Sequence, residues 1–393
     1  MKNKNMGILF ISLVVVMMGY GIAMPVLPFF IESLGGRGIH YGLLIASYGI
    51  MQLLFAPVWG SLSDKYGRKP MLLTGMIGMG LAMLLFALTY ELWMLYAAQI
   101  LSGTLSSATL PAAQAYAVDS TNKEDRGGAM GRIGGAIGLG VVLGPGMGGL
   151  LAARSLAAPF FIASGFCLLT FLIILLGLPE SLSKENRRES VEIKFMQIGG
   201  LWQALYTPMG FGLIVAFAAI FGQTIFASIF GLYALERFSY GPEQVGTIMM
   251  AMGLMYAVSQ GLVVGPLTRR FGDEKIMAWA LIGCSLGYIL MLLSKTFITI
   301  LLAISCFVMV NSLLKPAALS CVSKKVTEKQ GQAMGIAESY MSLGRIIGPL
   351  WGGMIFDVNI FYPFISGALI FLIMFIITMG KAKSRSKLEE VKC

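Results

Sequence analysis

The chain has 393 residues, of which 57% are hydrophobic and only 12% are charged. Soluble domains carry about 25% charged residues, so the composition excludes an ordinary water-soluble protein. The net charge of +10 would suit a nucleic-acid partner. However, the charges stand in short stretches between apolar runs, which is typical of membrane topology signals. The sequence therefore predicts an all-α membrane protein that contacts the lipid bilayer and binds no nucleic acid.

Twelve apolar segments have about the length of 20 residues or more that is needed to span a bilayer as a helix. The first follows Lys2 and Lys4 and is too long for a signal-peptide core of about 7–15 residues, so we expect it to remain in the protein. In chain order the segments occupy residues 6–32, 41–63, 70–89, 92–119, 128–151, 159–179, 208–233, 243–267, 276–294, 297–320, 332–356 and 360–380.

The longest polar stretch, from Glu180 to Lys194, separates the segments into two groups of six. This predicts an N-terminal bundle at 1–179, a cytoplasmic central loop at 180–207, a second bundle at 208–380 and a basic tail at 381–393. With a cytoplasmic N-terminus, most Lys and Arg residues fall on the cytoplasmic side, which indicates that both termini are cytoplasmic. The basic residues on the other side would be Arg37, Arg154, Arg237 and Lys295.

The two groups are copies of each other. The stretch EDRGGAMG at 124–131 recurs as EKQGQAMG at 328–335. A Gly-Pro pair follows each stretch, at Gly144-Pro145 and Gly348-Pro349. Repeated bundles predict a substrate site between them near the bilayer midplane, opened to either side in turn. That arrangement indicates a carrier rather than a channel.

The most specific local pattern is GSLSDKYGRKP, residues 60–70, between segments two and three. Its glycines allow a tight turn, Asp64 suits a helix N-terminus, and Arg68 with Lys69 would hold the loop at the cytoplasmic face. A weaker copy occupies 265–272, where Arg269 replaces the acid. A basic turn that only sets topology is the simpler interpretation.

The fifth segment is rich in glycine. Gly140, Gly144 and Gly148 recur every four residues on one helix face, and Pro145 removes a helical hydrogen bond. The spacing predicts a kinked helix that approaches a neighbour closely, and we expect segment eight to be that neighbour.

Together with the Pro25-Val26-Leu27-Pro28 motif of segment one, these patterns resemble the major facilitator superfamily, and most closely its bacterial twelve-helix drug:proton antiporters, the multidrug and tetracycline exporters. The resemblance implies twelve transmembrane helices in two pseudo-symmetric six-helix bundles. It also implies export of small lipophilic compounds in exchange for protons, without a cofactor, by a protein of the bacterial cytoplasmic membrane that functions as a monomer.

The resemblance further implies two groups of working residues. An acid at the end of segment four joins the signature loop as a gate latch, made of Gly60, Asp64, Gly67, Arg68 and Asp119. The antiport hinge of segment five comprises Gly140, Gly144, Pro145, Gly148 and Gly149.

Several positions depart from the family pattern. Gln99 stands where related antiporters have an arginine, and Val16 and Ala82 stand where tetracycline exporters have acids. The proton site must therefore be sought among the other intramembrane charges, which are functional candidates by default. These are Glu338, with Arg345 seven residues later on the same face, and Lys315. A structural ion pair and a cytoplasmic anchor are the alternatives for Glu338.

Polar and aromatic residues of the central segments are candidates for an adaptable, largely apolar pocket, although each could equally pack between helices. They are Tyr20, Gln52, Gln114, Gln223, Phe226, Tyr256, Asn311 and Tyr340. No phosphate-binding loop, catalytic domain or metal-ligand spacing is visible, so the sequence predicts neither an enzyme nor a metal protein.

Three other functions stay open. The segment-five motif fits a dedicated exporter of a metabolite, a sugar or a self-made antibiotic as well as it fits a drug exporter. A proton-coupled uptake symporter agrees less well with that motif. A non-transporting membrane sensor is disfavoured by the duplicated halves and by the lack of a sizeable soluble domain.

Overall fold

The computed structural model describes residues 2–122, 125–183, 185, 187, 198–325 and 330–390, and these are helical almost throughout. Seven helices precede the central loop: α1 (Lys2–Ser33), α2 (Gly38–Tyr66), α3 (Arg68–Ala87), α4 (Leu92–Leu105), α5 (Thr109–Asp119), α6 (Arg126–Ala152) and α7 (Ala158–Gly177). Nine follow it: α8 (Ile198–Leu205), α9 (Gly210–Phe238), α10 (Pro242–Val258), α11 (Val264–Phe271), α12 (Asp273–Leu293), α13 (Phe297–Asn311), α14 (Leu314–Lys324), α15 (Gln330–Phe356) and α16 (Tyr362–Glu390).

Each of the twelve predicted segments is helical, which confirms the fold class. Ten helical stretches of the described chain are long and apolar enough to cross a membrane. The other two predicted segments are 92–119, which a 3₁₀ turn at Ser106–Ala108 divides into α4 and α5, and 332–356, which lies within α15. The repeated stretches at 124–131 and 328–335 lie partly outside the described residues.

Proline explains where two of the segments break. Pro111 and Pro316 each lack the N–H that would bond to the carbonyl four residues earlier, and their rings clash with that carbonyl. Those carbonyls belong to Ser107 and Ser312, and the helix is interrupted at each of them. The sequence showed both prolines, but spans counted by hydropathy alone treat each segment as one helix.

The chain divides into two compact units. The first contains Met1–Phe195 together with Gly231–Gly253, and the second contains Met196–Phe230 and Leu254–Cys393. The sequence analysis assigns Gly231–Gly253 to the second bundle, whereas in the structure these residues belong to the first compact unit. A Cβ atom at Gly231 would come within 2.5 Å of the Pro28 ring, so only glycine allows this approach.

Helices α1 and α6 form an extensive contact in the first unit. A Cβ atom on Gly140, Gly144 or Gly148 would lie 2.5–2.7 Å from the nearest atom of α1. Small residues let membrane helices approach backbone to backbone, which matters because lipid supplies little hydrophobic force between helices. The glycine face predicted from the spacing thus exists.

The partner of that face differs from the prediction, because α1 occupies it instead of α10. The neighbouring residues of α6 reach α10: a Cβ atom on Gly146 would lie 2.6 Å from Met250 Sδ, and one on Gly149 would lie 2.9 Å from Gly246 Cα. Helix α6 thus has two glycine faces, one against α1 and one against α10. The four-residue spacing in the sequence reveals only the first of them.

In the second unit, α12 packs on α16 and α13. Tyr288 is fully buried at the centre of this contact, where its ring lies over Gly367 and next to Phe307. Its hydroxyl donates to the carbonyl of Gly222, 2.5 Å away. One buried tyrosine therefore links α9, α12, α13 and α16, and its polar tip is satisfied inside the unit.

We expect Gly144→Ala to destabilise the protein. The added methyl group would lie 2.7 Å from the carbonyl oxygen of Met18 and 2.8 Å from Gly21 Cα. Backbone atoms cannot yield as a side chain can, and overpacking typically costs about 1–3 kcal/mol. Thermal unfolding of the detergent-solubilised protein should shift to lower temperature. Gly138→Ala is the matched control, because no described atom outside the neighbouring backbone of its own helix lies within 4 Å of its Cβ position. Equal melting temperatures for the two variants would contradict this account of α1–α6 packing.

Candidate functional site

Four of the five predicted latch residues meet at the turn between α2 and α3. Gly67, at φ 110°, reverses the chain so that α3 begins at Arg68. The Arg68 guanidinium contacts Asp64 Oδ1 through Nη1 at 2.6 Å and Asp119 Oδ2 through Nε at 2.9 Å. Nη1 also donates to Ser63 Oγ at 3.1 Å. The side chain of Arg68 is only 10% exposed, so the two carboxylates compensate a largely buried cation.

Glu180 belongs to the same cluster, and the sequence analysis missed it as a site residue. Its carboxylate accepts hydrogen bonds from the backbone N–H of Arg68 at 2.9 Å and of Lys69 at 3.2 Å. These are among the first N–H groups of α3, which have no partner within the helix and favour a nearby anion. Glu180, rather than Asp64, therefore serves this helix N-terminus. The signal in the sequence was an acid directly after segment six, in Pro179-Glu180-Ser181.

The second latch glycine, Gly60, lies inside α2, which continues to Tyr66. Within the described part of the chain, nothing beyond the neighbouring backbone of α2 itself lies within 4 Å of its Cβ position. Only Gly67 therefore has a conformation that requires glycine, and a Cβ there would also overlap the Glu180 carboxylate.

Glu338 and Arg345, both on α15, form an ion pair with Arg345 Nη2 2.8 Å from Glu338 Oε1. Their side chains are 52% and 37% exposed, and Arg345 also donates to Ser342 Oγ at 3.3 Å. Lys315 is half-buried at the start of α14 and makes no ion pair with a side chain of the described ranges. Two of the three predicted coupling residues are thus in direct contact.

A polar cluster in the second unit surrounds the break before Pro316. The carbonyl of Ser312, which Pro316 deprives of its helical partner, accepts a hydrogen bond from Gln260 Nε2 at 3.0 Å. Gln260 also donates to the hydroxyl of Tyr256 at 3.3 Å. Ser259 Oγ lies 2.5 Å from Ser312 Oγ. Ser259–Val263 forms a single π-helical turn between α10 and α11, a feature that is frequent at functional sites.

This cluster contains Tyr256, a predicted pocket residue, and adds Gln260, which the sequence analysis did not select. The signal for Gln260 would have been a polar side chain opposite a proline-broken helix, and this needs the fold to be recognised.

The remaining pocket candidates divide between the two units. In the first, Tyr20 packs on Tyr48 with ring centroids 5.2 Å apart, Gln52 is half-buried and Gln114 is exposed. In the second, Gln223 is half-buried, whereas Phe226, Asn311 and Tyr340 are buried.

The three buried candidates are engaged in packing. The Tyr340 hydroxyl donates to the Leu201 carbonyl of α8 at 2.9 Å, and Asn311 Nδ2 donates to the Ala219 carbonyl at 3.4 Å. Phe226 lies edge-on to Phe307. In this conformation, these side chains hold helices together and offer almost no surface to a ligand.

Among the residues that the structure describes, no group of three His, Cys, Asp or Glu side chains could hold a metal ion. The polar interactions at these candidate sites are ion pairs and hydrogen bonds, most of them between helices. Such contacts can be broken and remade as a protein changes conformation.

Comparison with known proteins places these features in a family. The sequence model of the Major Facilitator Superfamily matches residues 9–238 and 212–390 of this chain. Multidrug resistance protein 2 of Bacillus subtilis is 32% identical over 385 residues, which cover 96% of this chain and 95% of that protein. The class C tetracycline resistance protein of Escherichia coli is 34% identical over 363 residues, which cover 89% of each chain.

Solved structures agree on the fold. The nucleoside transporter NupG superposes with a TM-score of 0.82 at 14% identity, over 95% of this chain and 99% of that one. The human organic anion transporter MFSD10 gives a TM-score of 0.68 at 21% identity, over 96% and 99% of the two chains. The chain is thus a multi-pass membrane transporter of the drug-efflux type, and it belongs to the Major Facilitator Superfamily.

Proposed function

We propose that this transporter exports small lipophilic compounds, tetracycline-like or of several drug classes, in exchange for protons by alternating access. The proton gradient would be its energy source, and the protein would act as a monomer in the cytoplasmic membrane with both termini in the cytoplasm. Relatives named for multidrug and tetracycline resistance, similar along nearly the whole chain, support the substrate class.

The observation that carries proton exchange is the half-exposed ion pair between Glu338 and Arg345. Charged side chains are costly against lipid and in membrane helices face the protein interior or a water-filled path. A pair with about half of the acid's surface exposed therefore fits a path that water and protons can enter. Glu338 is the acid of this pair and can carry the proton.

Protonation of Glu338 would remove one of two opposite charges and leave Arg345 without its ionised partner. The two states of the pair thus differ in charge and in the freedom of Arg345. A substrate that binds one state better than the other is coupled to the proton by that difference alone. Lys315 would add a second positive charge along the path, and together the two basic side chains favour neutral, zwitterionic or anionic amphiphiles.

In this proposal each unit contributes accessible polar and aromatic side chains to substrate binding, Tyr20 and Gln52 in the first and Gln223 and Tyr256 in the second. The glycine contacts of α6 with α1 and with the start of α10 supply the antiport hinge. A helix that packs closely against two neighbours through its glycines is mechanically linked to both of them. Gly140, Gly144, Pro145, Gly148 and Gly149 would therefore transmit movement instead of binding substrate.

The cluster of Asp64, Arg68 and Asp119 would act as a gate latch. It joins the end of α2, the start of α3 and the end of α5, with Gly67 as its turn. Breaking it exposes a guanidinium whose burial depends on two carboxylates, so the latched conformation is favoured by the intact network.

We expect Glu338→Gln to abolish drug-dependent proton movement. The amide keeps the size of the side chain but can neither bind a proton nor pair with Arg345 as an anion. The measurement uses proteoliposomes containing a pH-sensitive dye, an imposed proton gradient, and tetracycline and lipophilic dyes as substrates. Glu243→Gln is the matched control, because Glu243 is an exposed acid at the start of α10.

Three outcomes separate the possibilities. Loss of proton movement only in Glu338→Gln supports the proposal. Proton movement that survives this substitution keeps the antiporter and removes Glu338 as its coupling residue. No movement with any compound, in a protein that melts normally, would overturn drug export and favour a dedicated metabolite exporter.

We expect Asp119→Asn to lower the maximal export rate by about tenfold, which corresponds to about 1.4 kcal/mol. The substitution removes one charge of the Arg68 network while leaving its shape intact. Initial rates over a range of drug concentrations would separate a change in maximal rate from one in apparent affinity. Asp125→Asn changes an exposed carboxylate six residues along the chain and should transport normally. A latch role is rejected if the two variants transport alike.

A further inference from the structure

The second unit contains a turn with the same geometry as the signature turn of the first. Gly67 has φ 110° and ψ 166°, and Gly272, 205 residues later, has φ 77° and ψ 157°. Each glycine N–H bonds to the carbonyl four residues before it, at 3.1 Å for Ser63 and at 3.0 Å for Thr268. A helix begins directly after each glycine. The weaker copy of the motif therefore builds the same turn.

The ion pair at this turn is also repeated, with its charges reversed. In the first unit, Arg68 opens α3 and pairs with Asp119 at the end of α5, with Nε and Oδ2 2.9 Å apart. The positions 205 residues later are Asp273, which opens α12, and Lys324, which ends α14. Lys324 Nζ lies 2.5 Å from Asp273 Oδ2. In the first unit the cation opens the helix after the turn and the anion ends the partner helix, whereas in the second unit these two charges are exchanged.

The surrounding groups agree with the reversal. In the first unit a hydroxyl, Ser63 Oγ, accepts a hydrogen bond from Arg68. In the second a hydroxyl, Ser320 Oγ, donates one to Asp273 Oδ2 at 2.6 Å. A hydroxyl can do either, so each charge has the partner it needs. The third latch position is reversed as well, because Arg269 stands 205 residues after Asp64.

Helix electrostatics explains why the second turn needs no counterpart of Glu180. A helix N-terminus favours negative charge. Because α3 begins with a cation, its N-terminal N–H groups are served by the Glu180 carboxylate from another segment. In contrast, α12 begins with Asp273 and Glu274, which bring negative charge to the same place.

We propose that Asp273, Lys324 and Ser320 form a second latch, the charge-reversed counterpart of the one at Arg68. It holds the turn between α11 and α12 against the end of α14, and its residues position helices without touching substrate. The inference rests on alternating access as proposed above. Asp273 is 13% exposed whereas Lys324 is 71% exposed, so this pair is weaker than the Arg68 network and opens more readily.

Charge reversal tests the proposal directly. Lys324→Asp and Asp273→Lys each place like charges together, and the double variant restores an ion pair with the polarity of the first unit. Lys325→Asp is the matched control, since it makes the same charge change one residue away. We expect each single variant to lower the maximal export rate of tetracycline by about threefold to tenfold with little change in apparent affinity. The double variant should recover most of that rate.

A second readout needs no substrate. Cys321 is 6% exposed and lies one helical turn before Lys324. With the exposed Cys306 and the terminal Cys393 replaced by serine, the remaining cysteines, Cys167, Cys284 and Cys321, are buried. A maleimide should then label Cys321 several-fold faster in the single variants, and at the original rate in the double variant and in Lys325→Asp. Lys324→Gln supplies a milder change if a reversal prevents folding.

The outcomes keep the two proposals apart. Unchanged labelling in both single variants, or labelling that stays fast in the double variant, would overturn the second latch. If labelling follows the expected pattern but the original protein moves no tetracycline or dye, the latch stands and the proposed drug export fails.

Discussion

Satisfying backbone hydrogen bonds without water is the constraint on which this structure depends. In the hydrocarbon core each N–H and C=O must find a partner inside the protein, so the chain crosses as helices. Because lipid supplies little hydrophobic force between helices, these helices gain contact by close approach. The glycines of α6 serve that need twice, toward α1 on one face and toward α10 on another. The same short stretch of small residues thus decides how α6 packs against two neighbours.

The prolines leave backbone carbonyls without a helical partner, and side chains of neighbouring helices donate hydrogen bonds near both breaks. In the first unit Trp59 Nε1 donates to the Thr104 carbonyl at 2.6 Å, close to the break before Pro111. In the second unit Ser259 Oγ donates to the Met309 carbonyl at 3.1 Å, and Gln260 takes the carbonyl of Ser312. Thr104 and Met309 are 205 residues apart. The two repeats therefore stabilise equivalent weak points with different side chains.

Much of the fold followed from the sequence, because length, hydropathy and glycine turns are local properties. The twelve helical segments and the turn at Gly67 are examples. Partners were harder to predict, because they depend on which helices become neighbours. The glycine face at Gly140 was expected against α10 and lies on α1, and Tyr340 was selected for a pocket but bonds to α8. Glu180 and Gln260 went unnoticed because neither shows its partner, a helix N-terminus and a freed carbonyl, in its own neighbourhood of the chain.

The exposure of Lys324 has a consequence for how the two halves diverged after duplication. If both repeats descend from one ancestral half, the opposite polarities of the two turns differ by two substitutions, and a direct charge change of one partner alone would place two like charges at a turn. At the Arg68 position such an intermediate would have buried them together, at a large loss of stability. At the other turn, water surrounds most of the lysine side chain, and the repulsion is correspondingly mild. An exchange of the two charges is therefore less costly at the second turn than at the first.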